Sequence, residues 1–289
     1  MLFQQLFNGL VTGSCYSLVA LGFTLIFGVM NILTFAHPEV FMIGAFIGYF
    51  IVEQLAGNFF LAVLGGMVAS GALGIIINQA VIKQVKRGGL LSVITATVGV
   101  SVFLQNFGAR IFTTTNRHFP SPIKASFFKF AGIQMSTLQL ICLATAGLLM
   151  VALKFYVDKT KMGRCIRATA ENAEAANFLG VNVNFVNNLT TAIASGLAGV
   201  AGVLIGILYG TVNPYMGIKF GIKGFFVLIL GGVGSIEGAV VGGLILGVAE
   251  AVVTAYVSAS YRDAVAFGLL ILILIIKPTG LFQQKVRTK

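Results

Sequence analysis

The stretch GVMNILTFAHPEVFMIGAF, Gly28 to Phe46, decides how the chain is read. Apolar residues dominate it, yet Asn31, His37, Pro38 and Glu39 fall in its middle. Pro38 lacks an N–H and disfavours helix at the residue before it, so a helix starts or breaks there. Glu39 then lies near a helix N-terminus, where free N–H groups and partial positive charge favour a carboxylate. Two readings of this acid stay open. It caps an interfacial helix, or it lies on a solute path, because ionisable groups within membrane segments face cavities.

Outward from this island the chain is apolar in both directions. Of its 289 residues 57% are hydrophobic and 9% are charged, whereas a soluble domain carries about 25% charged residues. Its mean hydropathy is +0.98. No Asp, Glu, Lys or Arg occurs in 1–38, 54–82, 88–109, 130–153 or 175–218, nor in four shorter runs beyond. Roughly 20 apolar residues span a bilayer as a helix, and these runs lack the alternation of barrel strands. The expected fold is all-α: one polytopic membrane bundle over 1–289, of about eight or nine spans, some broken or re-entrant. The 36 glycines and the absence of Trp suit close helix packing. The opening segment has no basic region and too long an apolar run for a signal peptide. Cys15, Cys142 and Cys165 have no metal or redox spacing and read as small packing residues. A net charge of +11 in a soluble protein would suggest nucleic acid, but here the basic residues lie in short loops between spans.

Those basic residues fall into three groups: Lys83, Lys86 and Arg87; Lys154, Lys159, Lys161, Arg164 and Arg167; and Lys277, Lys285, Arg287 and Lys289. The positive-inside rule makes all three cytoplasmic. The N-terminus and the loop Arg110 to Gly132 are then external. Between the cytoplasmic loop 154–183 and Lys277, blocks near 197, 228, 247 and 270 are expected to make an odd number of crossings. One of them is therefore expected to be re-entrant or broken, with its joint at Gly231 to Gly238.

FGVMN (Phe27 to Asn31) has an echo in YGTVN (Tyr209 to Asn213), each closing an apolar helix before an interrupted segment. Paired interruptions in two halves of a membrane protein point to a transport pathway. Glu250 sits between charge-free runs and needs a partner or water, as a functional acid or as one end of an interhelical hydrogen bond. Glu237, in GGVGSIEG, reads as a joint residue. Nothing matches GxxxxGK[ST], so the chain does not itself bind ATP by a P-loop.

KTKMGRCIRATAENAEAANFLGVNVN, Lys159 to Asn184, is the other informative stretch. Arg164 and Arg167, and Arg167 and Glu171, share a helix face. Ala168 to Leu179 is rich in helix formers, with Gly180 as its C-terminal cap. Ala168, Ala175, Ala176 and Leu179 make a shallow apolar stripe. Such a segment is either a solvated linker or a short helix that docks on a cytoplasmic partner.

GSCYSLVALGFTLIFGVMNILTFAHPEVFMIG, MGRCIRATAENAEAANFLGVN and the tail from YGTVNPYMGIKFGIKGFF to KPTGLF resemble, in order, the Liv-type branched-chain amino acid permeases of bacterial ABC importers. The likeness is to the shorter, LivH-type subunit and is weakest between about 113 and 135. It departs from the family at Pro38, where FAHGE has Gly, and at Glu237, where GSIPG has Pro. The resemblance implies a second, non-identical permease subunit, two cytoplasmic ATPase subunits that bind the ATP, and an extracytoplasmic solute-binding protein. It implies no cofactor in this chain and a multi-pass place among the lipids of the bacterial inner membrane. The family's ATPase-coupling segment falls on Gly163, Arg164, Arg167, Glu171, Asn172, Ala175, Ala176 and Gly180, within a loop at about 158–184.

The expected function is alternating access for branched-chain amino acids or related small polar solutes, driven by partner ATPases. Asn31, His37, Glu39, Asn213 and Glu250 are the expected polar groups on the path. A urea or short-chain amide importer is the alternative within the class, and a proton-coupled secondary transporter using Glu39 or Glu250 the one outside it. No metal-ligand cluster or Ser/His/Asp signature favours an enzyme.

Overall fold

The computed structural model describes residues 1–55, 57–123, 126–130 and 133–282. In them the charge-free runs are helices, as a waterless bilayer core requires of any segment that must satisfy its own backbone. α1 (Leu2–Met30) ends at Asn31, whose left-handed backbone (φ 51°, ψ 40°) suits Asn better than most side chains. After the link 31–36, α2 (His37–Gln54) carries Pro38 in its first turn, where a missing N–H leaves no bond unmade. α3 (Phe59–Ile77), capped by Asn58, continues through a π turn (Asn78–Ile82) into α4 (Lys83–Val85). α5 (Leu90–Phe112) is followed by the short strands β1 (Arg117–His118), β2 (Phe127–Phe130) and β3 (Ile133–Ser136). A capping box of Ser136 and Gln139 opens α6 (Thr137–Lys159). Then come α7 (Lys161–Glu171), α8 (Ala173–Phe178), α9 (Val183–Tyr209), β4 (Thr211–Val212), α10 (Met216–Gly231), α11 (Ile236–Tyr256) and α12 (Arg262–Ile276).

Among the described residues seven helical stretches are long and apolar enough to cross a membrane. Outside that set stand α2, with His37, Pro38 and Glu39 in its first turn, and α10, only 16 residues long. The molecule is an all-α polytopic bundle. α1 and α9 form its centre, with 83% of the residues in their most apolar stretches buried, whereas in Ala259–Ile276, on the rim, 6% are.

The two central helices organise two similar halves. α1 runs antiparallel to α11, with Gly9 on Gly247, Gly13 on Gly243, and the Ser17 hydroxyl donating to the Val240 carbonyl at 2.9 Å. α9 runs antiparallel to α3, with Gly199 on Gly66 and Gly74 on Ser195. α2 packs on α9 as α10 packs on α1, and α5 flanks α2 as α12 flanks α10. Thus α1–α2–α3 and α9–α10–α11 repeat one arrangement, and the short sequence echo lies at the ends of α1 and α9. The helices stop at different points of that echo, at Met30 in one half and at Tyr209 in the other.

One end of the bundle gathers Gly28, Lys154, Arg167, Gly234 and Glu237, and Gly280 packs on Gly232 beside them. This is the end that the basic loops make cytoplasmic. The opposite end carries β1 paired with β4, so that His118 lies opposite Thr211, and the hairpin β2–β3. From Asn182, α9, α10, α11 and α12 run in turn between the two ends of the bundle, with α10, at 16 residues, short of a full span. The expected odd number does not hold, because only an even number returns a chain to its starting side. The expected joint is instead a tight turn between α10 and α11. Gly232 (φ 103°) and Gly234 (φ 85°) turn the backbone, Ser235 caps α11 by accepting from the Gly238 N–H at 3.0 Å, and the N–H groups of Leu281 and Phe282 donate to the carbonyls of Leu230 and Gly231.

A methyl group at Gly13 would lie 2.6 Å from the Gly243 carbonyl oxygen, whereas one at Gly99 would meet nothing within 4 Å. Gly13→Ala is therefore expected to cost about 1–3 kcal/mol, as overpacking does, and Gly99→Ala to cost nothing. Thermal midpoints of the detergent-solubilised protein, followed by size exclusion, check this.

Candidate functional site

The first cluster forms where the two interrupted helices meet. Pro38, at the start of α2, fits against Gly217 and Gly221, in the first turns of α10. A Cβ at Gly217 would lie 2.5 Å from the Pro38 carbonyl oxygen, and one at Gly221 would lie 2.4 Å from the Pro38 ring. Glu39, 0% exposed, accepts from the Ser101 hydroxyl of α5 at 3.1 Å through Oε1. Its Oε2 has no partner among the described residues and faces Gly217. His37, 2% exposed, packs tilted against Phe23 at 4.6 Å between ring centroids, and its Nε2 has no partner among the described residues. Asn213 shapes the entry to α10: its side-chain oxygen accepts from the Tyr215 N–H at 2.9 Å, and its amide donates to Asn116 at 3.0 Å. Asn31 caps α1 through backbone conformation, its N–H donating to the Phe27 carbonyl at 2.8 Å.

The second cluster lies on the other side of α10. Glu250 of α11, 1% exposed, accepts from Lys223 at 2.6 Å, Arg262 at 2.7 Å and the Tyr16 hydroxyl at 2.9 Å. Lys223 also lies 3.1 Å from Asp263, and Arg262 donates to Tyr16 at 3.0 Å and to Tyr209 at 2.5 Å. Two acids and two bases thus neutralise one another while tying α10, α11 and α12 to α1 and α9. The five expected path residues do not share one pocket: His37 and Glu39 meet α10 from one side, and Glu250 binds it from the other. Lys223, Arg262, Tyr16 and Ser101 were not among the expected residues. Two Lys, Lys219 and Lys223, in one apolar segment and a lone Glu in another signalled the first of these; nothing in the sequence marked Ser101.

The cytoplasmic segment is two helices, not one running from Ala168 to Leu179. Asn172 leaves the helical region (φ −157°, ψ 107°) and caps α8, accepting from the Ala175 N–H at 2.9 Å. Nor does the small apolar set form a stripe: Ala176 is buried, while Ala175 and Leu179 are exposed. Gly163 is required at the α6–α7 corner, where a Cβ would lie 2.2 Å from the Val157 carbonyl oxygen. Arg167 donates to that same carbonyl and lies 3.9 Å from Asp158. Arg164 and Glu171 are exposed on α7, and Gly180 (φ 85°) ends the segment after α8. Phe178 is 89% exposed and Leu179 84% exposed, at the end of the bundle away from the strands.

Among the described residues no group of three or more His, Cys, Asp or Glu side chains could hold a metal ion. Residues 5–274 match the family described as branched-chain amino acid transport system / permease component. The high-affinity branched-chain amino acid transport system permease protein LivH of Escherichia coli is 38% identical, over 96% of this chain and 94% of its own. BraD of Pseudomonas aeruginosa, named as a permease of the same kind of system, is 37% identical over the same shares. The ribose import permease protein RbsC of Escherichia coli is 24% identical over 84% of this chain and 76% of its own. The chain belongs to the branched-chain amino acid transport system permease family and is a multi-pass protein of the inner membrane.

Proposed function

We propose that this chain is the permease subunit of an ATP-driven importer for branched-chain amino acids, paired with a second, non-identical permease subunit. Two cytoplasmic ATPase subunits bind the nucleotide, and an extracytoplasmic binding protein delivers the solute. The observation that carries this reading is the meeting of two interrupted helices at Pro38, Gly217 and Gly221, between halves of similar architecture. Helices interrupted in corresponding positions of two repeats are where transporters place their solute path. Glu39 and His37 keep unpartnered atoms beside that contact. Asn31 and Asn213 set the ends of the links that break the helices, and Glu250 holds α10 in register against α11 and α12. The segment 158–184 carries ATPase motion to this body through the corner at Gly163, the Arg167 bond and the cap at Asn172. LivH and BraD, by their names, carry branched-chain amino acids, which supports that solute class here.

The test is ATP hydrolysis by the reconstituted complex with its binding protein, given leucine, urea or a neutral polar amino acid. Leucine is expected to stimulate hydrolysis, and Glu171→Ala to remove the stimulation without loss of assembly. Stimulation by urea alone would move the chain to an amide importer.

A further inference from the structure

Beneath the coupling segment, a cavity of about 150 Å³ lies between the ends of α1 and α6, the body of α7 and the α10–α11 turn. At about 30 Å³ per molecule of liquid water, it holds roughly five waters or one small organic solute. Two observations set it apart from a packing gap. The first is Thr24, which lines it, is 2% exposed, and has a hydroxyl with no partner among the described residues. Helical Ser and Thr ordinarily bond back to the carbonyl four residues earlier, as Thr12 and Ser17 do on the same helix. Thr24 does not: its oxygen is buried in the cavity wall without a partner among the described residues and reaches a guest only by rotating about χ1.

The second observation is the chemistry of the walls. Lys154 and Glu237 face each other at 3.0 Å, and Arg167 and Asp158 at 3.9 Å, all four on the lining. Lys has three donors and Arg five, while each carboxylate accepts at two oxygens, so these pairs leave donors and acceptors free together. A simple anion or a simple cation would use half of such a rim. Leu25, Val29, Val157 and Ile166 line the cavity beside the charges with aliphatic surface. Both signs of charge, one hydroxyl and an aliphatic wall fit a zwitterion with a small branched side chain.

We propose that this cavity is a cytoplasmic-face binding site for a free aliphatic α-amino acid, distinct from the solute path, through which accumulated product slows the transporter. The amino acid's carboxylate lies toward Lys154 and Arg167, and its ammonium toward Asp158 and Glu237. Its walls come from α7 on one side and from α1 and α6 on the other, so an occupant bridges coupling segment and membrane body. A ligand that binds best when these are together holds them together. The identity of the amino acid rests on the importer reading above.

The experiment uses the complete complex in proteoliposomes with the ATPases facing outward and leucine plus binding protein in the lumen. Leucine is then added to the ATPase side. Expected is a fall in ATP turnover of about fivefold or more, the lower end of ordinary site-to-site coupling. 4-Methylpentanoate and isopentylamine, each leucine without one of its two charges, inhibit far more weakly. Thr24→Val raises the half-inhibitory concentration about tenfold, the effect of one hydrogen bond. Gly28→Leu, at a position where a Cβ lies 3.6 Å from its nearest neighbour, fills the space and abolishes the inhibition. Intact lumenal stimulation with no effect of outside leucine, or with inhibition unchanged in both variants, overturns this site alone. Failure of lumenal leucine to stimulate overturns the importer reading, and this proposal with it.

Discussion

Phe178→Asp combined with Leu179→Ser is expected to lower ATP-driven uptake by about a hundredfold or more while the chain stays folded. α8 is six residues long, too short to persist alone in water. It is held by the Asn172 cap and by Ala176, 2% exposed against the body. Two later residues on this segment do the opposite. Phe178 and Leu179 present large apolar side chains outside the fold, with 89% and 84% exposure, at the end that the basic loops make cytoplasmic. Burying such a side chain in a partner's groove contributes about 1.5–3 kcal/mol. Losing both costs about 3–6 kcal/mol, or roughly two to four powers of ten in affinity. Measuring the ATPase retained on the affinity-purified permease reads this directly. Full retention by the double variant, with unchanged uptake, would show that the partner docks elsewhere.

The second large effect is on folding. Glu250→Leu is expected to destabilise the chain by about 3–5 kcal/mol, the usual consequence of removing one member of a buried ion pair. Lys223, 4% exposed at its side chain, would keep only Asp263, which is 63% exposed. Replacing both Glu250 and Lys223 by Leu is expected to cost less than the two single changes added together, because neither charge is then left buried alone. The monodisperse fraction surviving a thermal ramp in detergent checks both statements. Additive losses would mean that the pair does not act as a unit.

Which parts of this were legible beforehand follows from the range of the forces involved. Charge-free runs dictate membrane helices locally, so the bundle could be read from composition. Pro38 and Glu39 marked the start of α2 for the same reason, since a proline and an acid in a first turn act through adjacent backbone groups. The break at Asn172 was hidden because its neighbours are all good helix formers, and only the cap geometry separates α7 from α8. Of the partners of Glu250, Lys223 lies 27 positions away across the α10–α11 turn, and a sequence shows an isolated charge without showing what meets it. The similarity of the two halves left only the FGVMN and YGTVN echo, because helix packing needs small residues at crossings and leaves the rest free to diverge. The unpartnered Thr24 hydroxyl left no trace, as one threonine in an apolar run looks like any other.

The most direct test of ATP-driven import is uptake of labelled leucine into proteoliposomes holding the full complex, with the proton gradient collapsed by an ionophore. Uptake is expected to require ATP, the binding protein and the ATPase subunits, and to be unchanged by the ionophore. Leucine entry by the chain alone, driven by a proton gradient and indifferent to ATP, would contradict ATP-driven import.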